Sequence, residues 1–459
     1  MSKRTTRRRR IPKPGSDNQG FPLINLNAAG IDLGSRTHFV SVPEDRDAQP
    51  VRQFGCYTAQ LQDMASWLKR CRIETIAMEA TGVYWVPVFE ILESYGFEVL
   101  LVDARQVKNL TGRKSDVVDC QWIRHLHSHG LLSAAFRPKA EICQMRAYWR
   151  QRCNLVESAS RQILLMQKAL EQMNVQLHKA VSDITGKTGI SIIRAIVRGE
   201  HDPQVLAQMR HTRLKSSREE LAQALTGHYR EEHVFALAQA LESYDFTHQQ
   251  IESCDRMLQT CMGRLPGTAS PTARAKPRPA RRKNQPYFDL GAEQIRIAGV
   301  DLSRIPSIDT LTVQVVLTEV GVDVSSFPSE KNFASWATLC PNNRKTGGKI
   351  RSRRTRPSSH RLAAALRVAA QTLSRSKTAL GAYYRRKRAH LGAPKAITAA
   401  AHKLARLIYR MLKYGEEYVE QGQQAYEDQY RRHSLKTLTR MARDLGYELM
   451  SPKTGELLV

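Results

Sequence analysis

Strand-like apolar runs occur at 28–33 (AAGIDL) and 36–42 (RTHFVSV), joined by Gly34-Ser35, a dipeptide that tolerates a tight hairpin turn. A third short strand is expected at 51–56. Over 58–71 the apolar positions Leu61, Met64, Ala65 and Leu68 adopt the helical period, and ETIAMEA at 74–80 returns to a strand pattern. A helix over 86–95, a strand over 97–103 (FEVLLVD) and a helix over 115–128 continue the alternation. Three strands followed by alternating helices and strands is the order of a ribonuclease-H fold, so this part of the chain is expected to be α/β.

From residue 140 to 264 the pattern changes to long amphipathic helices with breaks at Gly186, Gly189, Pro203 and Gly227. The stretch LPGTASPTARAKPRPARRKNQP that follows is rich in Pro and Arg and has no acid, which is a linker composition. The expected organisation is a disordered basic arm (1–24), an α/β domain (25–138), a helical arm suited to oligomerisation and RNA contact (139–264), a basic Pro-rich linker (265–287), a helical C-terminal domain (288–420) and a charged helical tail (421–459). The eight cysteines form no CxxC pair and several lie in apolar patterns, so they are expected to be reduced thiols in a cytoplasmic protein. No apolar run approaches the length of a membrane span.

Charge narrows the partners. Lys and Arg number 71 against 43 Asp and Glu, a formal +28, which points to a polyanion. Residues 331–415 contain 21 Lys and Arg and no acid. A solvated surface ordinarily mixes signs, so a segment of this kind is expected to lie against phosphates. The nucleic-acid-binding candidates are Arg344, Lys345, Lys349, Arg351, Arg353, Arg354, Arg356, Arg361, Arg385, Arg386, Lys387 and Arg388.

Four acids carry the candidate chemistry. Asp32 lies in the first strand, where Ile31 and Leu33 face the other side of the sheet, and Glu79 ends a later strand. Asp116 and Asp119 in KSDVVDCQW are three apart, on one face of a helical first turn. Carboxylates are the ligands of hard ions such as Mg²⁺, and two such ions assist in-line cleavage of a phosphodiester. Each acid also has a plain structural role open to it: Ser115 can cap the helix, with Asp116 and Asp119 favoured by its dipole, and Glu79 can cap the next helix.

A second candidate is Pro341-Asn342-Asn343-Arg344-Lys345-Thr346-Gly347-Gly348-Lys349. Its glycines let backbone approach a phosphate, its cations attract one, and the Thr346 hydroxyl is a possible nucleophile. A phosphate-binding loop without covalent role is the alternative. His125, His127 and His129 do not share one helix face and are not expected to bind metal, and Tyr84, Trp85 and Trp122 are read as core residues first and base-stacking residues second.

The segments AGIDLGSRTHFVSV, MEATGVYW, VDARQVKNLTGRKSDVVDCQW, DLSRIPSIDTLTVQVVLTEVG, FASWATLCPNN and LGAPKAITAAAHKLARLIY resemble the DEDD transposases of the insertion sequence one-hundred-and-ten family, over nearly all of residues 28–450. The resemblance implies a RuvC-like N-terminal domain whose four acids fall on Asp32, Glu79, Asp116 and Asp119, and a C-terminal transposase domain with a nucleophilic serine. It further implies a Mg²⁺-dependent recombinase that acts on donor and target DNA, is guided by a structured bridge RNA, and assembles its sites between protomers of a dimer or tetramer. The family pattern S-[GA]-G-K corresponds here to Thr346-Gly347-Gly348-Lys349, and P-G-I-G corresponds to Pro306-Ser307-Ile308-Asp309. Three outcomes stay open at the first departure: Thr346 is the nucleophile, Ser352 has taken the role, or the copy has lost its chemistry. A junction-resolving nuclease that needs only the acids, and a non-catalytic nucleic-acid-binding relic, are the competing functions.

Overall fold

The computed structural model describes residues 22–80, 82–103, 107, 116–268, 284–357, 359–415 and 422–450. The chain divides between Arg137 and Pro138 into two compact units. Most of the expected basic arm, most of the Pro-rich linker, Ser115 and the last nine residues of the tail lie outside the described residues.

The first unit carries strands β1 (Ala28–Leu33), β2 (Thr37–Ser41), β3 (Val51–Gly55), β4 (Thr75–Glu79) and β5 (Glu98–Val102) in one sheet of order β3-β2-β1-β4-β5. The first three pair antiparallel, whereas β1, β4 and β5 run parallel. Helices α1 (Thr58–Arg70), α2 (Trp85–Ser94) and α3 (Asp116–Ser128) complete a mixed α/β unit compatible with a ribonuclease-H-like fold. Each element begins and ends within about two residues of its expected place, as hydrophobic periodicity allows.

Alternation along β1 sorts its residues between two layers. Ala29, Ile31 and Leu33 join a core with Met64 and Leu68 of α1 and Leu92 of α2. Gly30 and Asp32 therefore point to the opposite face, where α3 packs so closely that a Cβ on Gly30 would sit 2.3 Å from the Arg124 backbone nitrogen. Ala77, Val102 and Ile123 form the smaller core on that face. Before β1, Ile24 and Asn25 donate backbone N–H groups to the Ser128 carbonyl, so the chain enters β1 along the end of α3.

In the second unit the long helices α4 (Ala140–Gln172) and α9 (Glu231–Arg264) run antiparallel, with Cys261 beside the Glu141 carbonyl and Arg152 paired with Asp255. Both members of that ion pair are buried, and the second Asp255 oxygen accepts the Tyr287 N–H at 3.2 Å. Short helices α5 (Leu177–Ala180), α6 (Lys187–Val197), α7 (Pro203–Ala207) and α8 (Arg218–Leu225) pack on one end of the hairpin around Met166, Leu170, Ile192, Ile196 and Leu221. Of the expected breaks, Gly186 and Pro203 fall at helix starts and Gly227 falls between α8 and α9, whereas Gly189 lies inside α6.

Helices α10 (Leu290–Ala298), α11 (Thr310–Glu319), α12 (Glu330–Trp336), α13 (Arg361–Thr372), α14 (Ala379–Leu391), α15 (Ala393–Tyr414) and α16 (Gln423–Asp444) follow, with strands β6 (Arg344–Thr346) and β7 (Lys349–Ser352) between α12 and α13. Arg146 and Arg150 of α4 grip the end of α11, Arg146 through the Thr318 carbonyl at 2.9 Å and Arg150 through the Glu319 carboxylate at 2.8 Å. Helix α16 has no buried residue.

The second departure from the family pattern has two different consequences. Ser307 adopts φ 77°, the left-handed region that glycine enters freely, and among the described residues its buried hydroxyl has no hydrogen-bond partner. Ser307→Gly is expected to raise stability by about 1–2 kcal/mol by removing both costs. A lower denaturation midpoint for that variant would contradict the strain assigned here. Asp309, by contrast, caps α11: its side chain accepts from the Thr312 N–H at 2.8 Å.

Candidate active site

The β1–β4 register places two of the four acids. Gly30 pairs with Ala77 and Ile31 with Met78, so Asp32 and Glu79 stand one step further on, side by side at the carboxyl ends of parallel strands. That end of an open sheet is where ligands bind in α/β folds. Asp32 faces the α3 layer, and Asp116 and Asp119 occupy the first turn of α3.

Electrostatics links all four. The Asp32 carboxyl is pushed up to about 6, first by burial and then by the charges of Asp116, Asp119 and Glu79. The Cys120 thiol on α3 is pushed up to about 12 by burial and by the Asp32 charge. Among the described residues no three His, Cys, Asp or Glu side chains stand close enough to hold a metal ion. The acids thus share a field rather than a finished ligand shell. Their chemistry, carboxylates without a thiolate or imidazole among them, is that of a site for a hard divalent ion.

The raised Asp32 carboxyl is also a statement about stability. The folded state holds this proton more tightly than the unfolded chain, so stability falls as pH rises from about 4 to about 6. Because Asp32 is half-buried, screening reduces the cost of its charge to about 1 kcal/mol. Asp32→Asn is expected to stabilise the protein by that amount at pH 7–8 and to leave it unchanged below pH 4, as measured by denaturant midpoints across pH. Equal stability of the two proteins at pH 8 would remove the assigned repulsion.

The second candidate segment is a hairpin rather than an irregular loop. Gly347 and Gly348, at φ 56° and 74°, make the two-residue turn between β6 and β7, the geometry that requires positive φ at both positions. Thr346 is paired directly with Lys349, so the hydroxyl and the ammonium share one face at the tip. Ser352 pairs with Arg344 at the root, about 7 Å further along the strand. The two hydroxyls therefore occupy separate places.

The cations expected to bind nucleic acid fall into two sets. Arg344, Lys345, Lys349, Arg351, Arg353, Arg354, Arg356, Arg361 and Arg388 are exposed. Arg385 instead donates to the Ser376 carbonyl at 2.6 Å and to Gln423 at 2.8 Å. Arg386 lies over the rings of Tyr426 and Tyr430, at 4.6 and 3.4 Å from their centroids, and Lys387 lies 5.8 Å from that of Tyr383. Arg385 and Arg386 hold α16 in place, a use that charge counting does not reveal.

Other singled-out residues serve the core. His127 is buried and bonds the Thr75 hydroxyl at 2.9 Å, and Trp85 and Trp122 pack against the two cores of the first unit, while Tyr84 is largely exposed. All eight cysteines are free thiols, and among the described residues no helix is long and apolar enough to cross a membrane. Sequence reasoning passed over Phe39 and Gln53, which strand pairing sets in one row with Asp32.

Two family models match separate stretches of the chain. A model of DEDD transposases of the IS110 group, described as a transposase, matches residues 29–175. A second, described as Transposase IS116/IS110/IS902 family, matches residues 301–385. No curated protein matches the chain. With the acid-bearing sheet inside the first match and the β6–β7 hairpin inside the second, the chain belongs to the IS110 family of transposases.

Proposed function

We propose that this transposase cuts and rejoins DNA to move its own insertion sequence, using Asp32, Glu79, Asp116 and Asp119 as a Mg²⁺ site and the Thr346 hydroxyl as the group that takes the cut strand. The observation that carries the proposal is that Asp32 and Glu79 each follow the last paired residues of β1 and β4, Ile31 and Met78, with two helix-borne acids whose charges help to raise the Asp32 carboxyl. DEDD transposases in general depend on divalent metal, and bound Mg²⁺ would supply positive charge to a phosphodiester undergoing in-line displacement.

The chain's own groups do the rest. The sheet fixes Asp32 and Glu79, and the helix dipole favours Asp116 and Asp119 at its start. At the hairpin, the Thr346 hydroxyl gives up its proton to solvent as Oγ1 forms a bond to phosphorus, a P–O bond of the strand breaks, and the departing oxygen takes up a proton from solvent. The exposed arginines around the hairpin neutralise phosphates. A bridge RNA that pairs with donor and target DNA supplies sequence choice, and two or four copies of the chain assemble the complete sites.

A DNA substrate that traps the cut intermediate tests this. Wild type should yield a protein-linked strand, Thr346→Ala none, and Thr346→Ser, which removes only the β-methyl that restricts the rotamer, at least as much as wild type. Ser352→Ala should leave the adduct in place. Loss of the adduct in Ser352→Ala but not in Thr346→Ala would move the nucleophile to the hairpin root. Free hydrolysed ends would indicate a metal-only nuclease, and no cleavage in any variant a relic.

A further inference from the structure

Within the second unit, α4, α9 and the chain that leads into α10 enclose a cavity of about 520 Å³. Arg152 of α4 lines it, although only 3 % of that side chain is exposed. Asp255 of α9 accepts the Arg152 Nε–H, and its second oxygen accepts the Tyr287 N–H at 3.2 Å. One carboxylate thus fixes both the guanidinium and the chain at Tyr287. Among the described residues the two amino groups of that guanidinium have no hydrogen-bond partner. A buried donor left unmet is costly, so these two groups, at the wall of a cavity, point to a ligand.

Charge decides which ligand. Asp255 offsets Arg152, which is the only Lys or Arg among the described residues that line the cavity, and Asp183 adds an acid to the lining. A phosphate or carboxylate would find no net positive charge there and would be repelled by Asp183. A neutral ring with two adjacent acceptors would satisfy both amino groups without that repulsion. The remaining lining suits a flat ring. Tyr244 and His248 have ring centroids 4.4 Å apart, Tyr287 adds a third ring, and Val156, Ile163 and Ile251 are apolar. The volume is in the range of sites that hold a ligand, about 300–1,000 Å³.

We infer that this cavity binds an unpaired guanine base of a single strand, with the Arg152 amino groups donating to O6 and N7. Guanine presents those two acceptors side by side, the edge that an arginine fork takes, whereas adenine sets a donor beside N7 and neither pyrimidine offers the pair. Unpaired bases are read in this way, by hydrogen bonds to an edge and by stacking on aromatic side chains. The inference rests on the chain's binding nucleic acid, but on neither the four acids nor Thr346. The guanine of an RNA strand and that of a DNA strand share this chemistry.

The test measures binding of the full-length protein, at fixed salt, to short uridine RNA strands and thymidine DNA strands that carry one central guanine, adenine, 7-deazaguanine or hypoxanthine. Guanine and hypoxanthine, which both present O6 and N7, should bind about tenfold tighter than adenine, and 7-deazaguanine, which lacks N7, should fall close to adenine. The series with the larger ratio identifies the source of the base. Arg152→Met combined with Asp255→Leu removes the buried pair as a whole, so that neither charge is left alone, and should bring the ratio to about one while affinity for the adenine strand stays. Tyr287→Ala keeps the ion pair and should lower the guanine preference severalfold, which tests the site even where the double variant does not fold. A wild-type ratio near one in both series, equal binding of guanine and 7-deazaguanine, or a ratio unchanged in the folded variants overturns the inference and leaves nucleic-acid binding standing. Failure to bind any strand would overturn the nucleic-acid reading as well, so the two failures are distinguishable.

Discussion

Asp116→Asn and Asp119→Asn are each expected to lower strand cleavage by about a thousandfold while nucleic-acid affinity stays within about twofold. Both residues sit in the first turn of α3 and contribute to the field that raises the Asp32 carboxyl. Asparagine keeps the shape and removes the charge, so helix packing should survive while attraction for a divalent ion falls. Affinity is expected to depend instead on the exposed cations of the acid-free segment at 331–415. Cleavage rates measured over a range of Mg²⁺ concentrations, beside binding measured at fixed salt, separate the two effects. Near wild-type cleavage by either variant would remove that acid from the site.

Gly30→Ala is expected to destabilise the protein by about 3 kcal/mol or more. The added carbon would meet the Arg124 nitrogen at 2.3 Å and the Cys120 carbonyl at 2.4 Å, both backbone atoms that cannot swing aside. Helix α3 would have to lift from β1, carrying Asp116 and Asp119 away from Asp32, so loss of cleavage should accompany loss of stability. Gly263→Ala is the control: a Cβ there meets nothing within 4 Å in a helical backbone, and its effect should be neutral or stabilising. Equal denaturation midpoints for the two variants would mean that the β1–α3 contact is looser than described.

The sequence by itself determined the elements of the first unit, because alternation over β1 and helical spacing over Leu61, Met64, Ala65 and Leu68 are local signals of which face is buried. It also marked the four acids, since each sits at an element boundary that those patterns locate. Strand pairing is non-local, so only the tertiary structure decided that Asp32 lies beside Glu79, and that Phe39 and Gln53 share its row. The same holds for the cations. Counting charges gives Arg385 and Arg386 the same weight as Arg353 and Arg354, but α16 returns to engage the first pair and leaves the second in solvent. At Pro306-Ser307-Ile308-Asp309 the sequence showed two departures from the family pattern, and only backbone geometry told them apart. Ser307 is held at a φ that costs a β-carbon, whereas Asp309 gains a hydrogen bond as the cap of α11.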